Sequence, residues 1–273
     1  MAYHSAHARK KHNFSFLHAV ILCLCVAGVC FGLYLWREAL VGGTWTVSVS
    51  DDDFHPIIGE PPYRIVLDAG HGGTDPGAQG IVVEKEMTAV TAEALYALLE
   101  ADPNFRPFRT RESYDLTATP SERAAAANAL LPDLFLSIHG NSVPEGSTAS
   151  GFECYPKVPG REFHQESYYF ARQLAHAMQS AGASLRGRGG IRYLYYLGET
   201  KQIVESNHTE NREERSFTIL EDTTCPAVLA EQCFVTSEPD VMQFGGAEGC
   251  QRTARAYYEA ICAYFGTSPL PAD

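Results

Sequence analysis

Short apolar runs alternating with stretches of helical periodicity predict an α/β fold for this chain. The expected architecture is a single domain with a central mixed, mostly parallel twisted sheet flanked by helices, preceded by an N-terminal transmembrane helix. Three observations carry it. Four apolar runs of strand length end in glycine or polar residues, Ala-rich segments of helical spacing lie between them, and one long uncharged run sits apart near the N-terminus. The composition, 45% hydrophobic and 20% charged over 273 residues, supports a buried core and argues against wholesale disorder.

The uncharged run comes first. Phe14 to Trp36 contains no Asp, Glu, Lys or Arg and follows the basic stretch Arg9, Lys10, Lys11, His12. A bilayer core needs about 20 apolar helical residues, whereas the apolar part of a cleavable signal is about 7–15. No small-residue cleavage site follows, so residues 14–36 are expected to be an uncleaved anchor. Residues 1–13 would stay on the cytoplasmic side and the rest would face outward, by the distribution of basic residues. The competing reading is a buried helix of a soluble protein. Residues 37–62, with Gly42-Gly43, the acidic Asp51-Asp52-Asp53 and Pro56, Pro61 and Pro62, read as a linker with one short strand at Trp45–Val49.

The main domain is expected at residues 63–266, with 267–273 as a tail. Arg64–Asp68 reads as a buried strand ending in a glycine-rich turn, and Met87–Leu99 as a helix. Phe105–Thr110 is a strand. Pro120–Leu130 is an Ala-rich helix opened by proline, which suits a first helical turn. Leu134–His139 and Gly151–Tyr155 are strands, and Arg161–Ala181 is a helix. The Gly- and Tyr-rich stretch Gly182–Arg215 is expected to be a long loop over one face. Ala227–Phe234 is a strand and Cys250–Phe265 the closing helix.

Charge and cysteines narrow the function. A net charge of −12 would be repelled by phosphates, so no nucleic-acid partner is expected. Of the eight cysteines, Cys23, Cys25 and Cys30 fall in the anchor, and Cys154, Cys225, Cys233, Cys250 and Cys262 in the outer part. There is no C-x-x-C pair, so a cysteine-built zinc site is not expected. Five is an odd number, and spacing does not decide whether any disulfide forms. No G-x-S-x-G elbow is present, which disfavours a serine hydrolase.

Three strand ends carry unusual polar residues. LDAGHGGTDPGAQG, Leu67 to Gly80, places His71 on a turn with five glycines; LFLSIHGNS ends in His139 with Asn141 beyond; CPAVLAEQCF sets Glu231 inside an apolar run. A charge there must be paired, protonated or metal-associated, because an isolated buried carboxylate is costly. Each has a plainer reading. A strand-end histidine is often a hydrogen-bonded core residue, Glu231 could pair with an arginine, and the two histidines lack local metal-site spacing.

Taken in order, LDAGHGG-DPGAQG, EKEM, TRESYD, ERAAAAN, DLFLSIHGNS, SGFECY and CPAVLAEQCF resemble the zinc-dependent N-acetylmuramoyl-L-alanine amidase family of cell-wall hydrolases, over roughly residues 63–265. The resemblance implies Zn2+ held by His71, Glu84 and His139, with Glu231 as the catalytic acid and base. Glu86 lies close to Glu84, but the E-K order favours Glu84. Cys233 stands where the family carries glycine. The implied reaction is hydrolysis of the bond between N-acetylmuramic acid and L-alanine in peptidoglycan, at a zinc site with one open position. Asn141 and Arg123 are candidate substrate contacts, with capping or ion pairing as alternatives. Asp68 would orient a ligand histidine or cap the turn. A short anchored domain without wall-binding repeats is similar to family members that mature the spore cortex. The alternatives are a catalytically inactive peptidoglycan-binding or hydrolase-activating module, and a zinc peptidase acting on the stem peptide.

Overall fold

A computed structural model describes residues 54–144 and 147–272. The expected basic segment, the anchor at 14–36 and the strand at Trp45–Val49 lie outside the described residues. Among the described residues no helix is long and apolar enough to cross a membrane.

The elements run β1 Tyr63–Ala69, α1 Glu84–Ala101, β2 Phe105–Arg109, α2 Pro120–Ala129, β3 Leu134–Asn141, β4 Glu153–Pro156, α3 His164–Ser180, β5 Arg192–Leu197, β6 Thr200–Glu205, α4 Thr218–Glu221, β7 Ala227–Phe234, α5 Glu238–Asp240, a π-turn at Val241–Gly245, and α6 Ala247–Phe265. Five strands form one sheet in the order β2-β1-β3-β7-β4. The first four are parallel and β4 runs antiparallel to β7. The predicted α/β domain with a mixed, mostly parallel sheet is what the chain forms.

Both faces of the sheet are covered, which is why its strands read as unbroken apolar runs. On one face Ile65, Leu67, Leu136, Ile138 and Val228 pack with α1, α3 and α6. On the other, Val66, Phe135, Ala227 and Leu229 meet Ala124 and Ala127 of α2 and Ile219 and Leu220 of α4. The α2 start is fixed by a capping box: the Thr119 hydroxyl accepts from Glu122 N, and Glu122 reaches back to Thr119 N.

Side chains alternate across a strand, so residues two apart share a face. Phe135 and Leu229 face α2, which carries His139 and Glu231 toward the same side. From β1 the chain crosses to β2 on one side and returns to β3 on the other. The sheet therefore changes direction between β1 and β3, and ligand crevices open beyond the carboxyl ends of the strands at such a point.

The structure departs from the expected loop at Gly182–Arg215. This stretch contains a β5–β6 hairpin in continuous antiparallel register from Arg192↔Glu205 to Leu197↔Thr200. Its β5 is apolar on both sides: Tyr193 and Tyr195 are buried with Val158, and Leu194 joins the α2-side core. The polar–apolar alternation of a half-buried strand is therefore missing from it. Helix α1 begins at Glu84, three residues before the expected start, which puts that carboxylate on the first helical turn.

Candidate metal centre and its cleft

The turn after β1 is built to return on itself. His71 has φ +62, a left-handed conformation uncommon outside glycine, followed by Gly72 at +122 and Gly73 at +57. Such a residue costs of order 1 kcal/mol and persists only where its surroundings fix it. Here Gly72 and Asp75 exchange backbone hydrogen bonds, Lys85 Nζ donates to Gly73 O, and Thr88 Oγ1 donates to Gly70 O. The ring of His71 is thereby brought back over Asp75, whose Oδ2 lies 2.8 Å from its Nδ1. That leaves Nε2 facing Glu84.

Glu84 is the centre of the cluster. Its Oε1 lies 3.1 Å from His71 Nε2 and 3.0 Å from His139 Nδ1. Backbone amides hold the same carboxylate from behind, Gly140 N donating to Oε1 at 2.9 Å and Ala78 N to Oε2 at 2.8 Å. Burial works against its charge, but hydrogen bonds from His139 and His71 outweigh that and hold its carboxyl far below the usual range. Burial lowers the His71 pKa too, and its bonds to Glu84 and Asp75 more than reverse this, leaving it raised.

Two glycines are required by close approach. A side chain at Gly70 would place its first carbon 2.4 Å from the His139 ring, and one at Gly77 would lie 2.6 Å from Glu84 Oε2 and from the His71 ring. The three ligand atoms lie within 4.8 Å of one another. Ligands about 2.0–2.2 Å from a tetrahedral ion stand roughly 3.3 Å apart. Two imidazoles and a buried carboxylate at these separations suit a zinc ion, both in donor chemistry and in spacing.

Glu231 stands beside this cluster, in register with His139 across β3 and β7. Its Oε2 is buried and accepts no hydrogen bond from the described residues. Burial first, then the charges of Glu84 and Glu153, push its pKa well up, with Lys201 pulling it down. Glu153, its register partner on β4, is in contrast fully engaged. It accepts from Asn141 Nδ2, from Tyr155 OH at 3.0 Å, from Arg186 Nε at 3.0 Å and from Arg192 Nη1 at 2.9 Å.

These groups open into a cleft of about 560 Å3, whose lining includes His71, Glu84, His139, Asn141, Arg123, Tyr196, Lys201, Phe217 and Glu231. Asn141 lines it while giving its amide to Glu153. Arg123 lines it while its buried Nη1 pairs with Asp68. Asp68 also accepts from Ser137 Oγ at 2.7 Å and Thr110 Oγ1 at 2.8 Å; the carboxylate holding His71 is Asp75. The sequence reading missed Asp75 and Glu153, which sit inside the D-P-G turn and the G-F-E-C-Y strand. The face shared with Tyr155 could have found the second; the first depends on the left-handed backbone at His71, which no sequence signal marks. Cys233 is buried, its Sγ 3.6 Å from Met87 Sδ. The five cysteines among the described residues are free and buried.

Fold and site together define a class: an α/β domain with a His–Glu–His donor set at the carboxyl edge of a parallel sheet and a second acid on the adjoining strand. Residues 65–263 match the family described as N-acetylmuramoyl-L-alanine amidase, and the chain belongs to it. The uncharacterized protein YqiI of Bacillus subtilis is 32% identical over 235 residues, covering 85% of this chain and 98% of that protein. The probable N-acetylmuramoyl-L-alanine amidase AmiB of Haemophilus influenzae is 40% identical over 230 residues, 74% of this chain but only 52% of AmiB. The chain thus spans about half the length of that relative. The catalytic domain of CwlV, an amidase from Bacillus (Paenibacillus) polymyxa, superposes with a TM-score of 0.59 at 26% identity, over 76% of this chain and 99% of that domain.

Proposed function

We propose that this domain hydrolyses the amide between N-acetylmuramic acid and L-alanine in peptidoglycan, with Zn2+ held by His71, Glu84 and His139. The observation that carries this is the buried carboxylate of Glu84 between two imidazoles, with the unpartnered Oε2 of Glu231 on the next strand. When bound, zinc supplies Lewis acidity that polarises the amide carbonyl and makes water easier to deprotonate. The residues do the rest. Asp75 accepts the Nδ1–H of His71 and so presents Nε2 in the neutral, ligating tautomer. Glu231 takes a proton from the attacking water and delivers it to the departing alanine nitrogen, for which a carboxyl with a raised pKa is suited. Phe217, Ile219 and Leu229 give one wall of the cleft an apolar lining, and Asn141 and Arg123 are the proposed contacts on its polar side.

All four positions that the chemistry needs hold competent side chains, which speaks against an inactive wall-binding module. We further assign residues 14–36 as a membrane anchor, 37–62 as a linker and 63–266 as an outward-facing catalytic domain. The deciding experiment is mass spectrometry of digested peptidoglycan with zinc analysis of the protein. Release of stems with free L-alanine amino termini, leaving a muramic lactyl carboxylate, is the expected result. Glu231→Gln should retain the metal and lose about 100-fold or more in turnover, while His71→Ala should lose both. Wild-type turnover in Glu231→Gln would remove that residue as the base.

A further inference from the structure

The cleft holds one cation without a role. Its lining includes four residues able to carry positive charge: His71, His139, Arg123 and Lys201. The histidines are committed to Glu84 and Arg123 to Asp68. Lys201 has no hydrogen bond or ion pair among the described residues, and is exposed.

It is nevertheless held in place. Lys201 lies on β6 in register with Tyr196 of β5, so both side chains share one hairpin face and both line the cleft. Tyr196 meets Phe217 edge-on, and its N donates to Arg215 O at 2.8 Å. Arg192 ties the far end of the hairpin to the main sheet, bonding Glu153 and Glu205 at once. The lysine therefore projects from a braced strand. Lys201 lines the same cleft as Glu231.

We infer that Lys201 forms an anion subsite for the free α-carboxylate of the second stem residue, the γ-linked glutamate, and so selects stems in which that group is not amidated. The inference rests on the amidase reading of the cleft. Of the groups around the scissile bond, the sugar, the lactyl amide and the alanine are uncharged. The glutamate α-carbon follows one peptide later, about 3.8 Å from that of alanine, and its carboxylate is the first ionised group downstream. A chain of net charge −12 would repel it without a local cation.

The test compares two muramoyl tripeptides that differ only in bearing a carboxylate or a carboxamide at position two, using the zinc-loaded full chain. The wild type should prefer the carboxylate roughly tenfold in kcat/KM, carried mainly by KM, as expected for a charge-assisted contact in a half-open cleft. Added salt should narrow the preference. Lys201→Gln should bring the ratio close to one, Lys201→Arg should keep it, and Lys201→Glu should invert it. Titration of the L-alanyl-γ-D-glutamyl and L-alanyl-isoglutaminyl dipeptides against the wild type and Lys201→Gln supplies a readout independent of turnover. Turnover with the same preference in wild type and Lys201→Gln would overturn the subsite and leave the amidase standing. A Lys201-dependent preference in binding, with no cleavage of either substrate, would support the subsite and sink the amidase.

Discussion

At the scale of the residue, Glu231 shows how a buried acid is kept at a cost to the fold. Its folded-state pKa is raised by burial and by Glu84 and Glu153, against Lys201 alone. In the metal-free protein, the folded state therefore retains a proton over a window in which the unfolded chain has released it. Stability contributed by this group falls as pH rises from its ordinary value of 4.5 toward the raised one. Glu231→Gln should accordingly melt higher than wild type in the presence of a chelator, by a margin that is small below about pH 4.5 and widens with pH. Thermal melts at a series of pH values check it, and a margin constant across the series would show that the charge of Glu231 is not the cause. His71, His139 and Glu231 stood out in the sequence as polar residues at the ends of or inside apolar runs, whereas Glu84 entered only through the family resemblance. Asp75 did neither, because its role depends on the left-handed backbone at His71, which sequence periodicity does not report.

At the scale of the element, the hairpin β5–β6 was the part of the fold that the sequence concealed. Its apolar residues face both sides, so the period-two signal is absent, and its turn offers only Gly198-Glu199 as a mark. The central strands β1, β3 and β7 were legible because they are buried on both faces and read as apolar runs of strand length. The hairpin is bound to the main sheet through Glu153, whose buried carboxylate answers two guanidinium groups. Glu153→Gln should destabilise the domain by roughly 2–4 kcal/mol, toward the lower end because both arginines keep some contact with water. It should also speed proteolytic cutting near Gly198. Denaturant melts with limited proteolysis measure the two effects, and unchanged cutting would mean that the hairpin is held by its tyrosines instead.

At the scale of the whole molecule, the described chain enters at the amino edge of the sheet. Phe54 and His55 meet Tyr169 edge-on, Tyr63 OH donates to Gly59 O at 3.0 Å, and Pro56, Ile57 and Ile58 share a groove with Pro132 and Pro226, just before β3 and β7. These contacts tie residues 54–63 to the domain. Deleting 1–36 should yield a soluble protein that binds zinc and cuts peptidoglycan at the rate of the full chain. Insolubility with loss of zinc would place the removed segment within the fold.

The entry at one edge and the cleft at the other are separated by the length of the strands, about 25 Å for the eight residues of β3. Residues 54–58 and a substrate in the cleft therefore meet the domain at opposite ends of the sheet, so neither has to make way for the other.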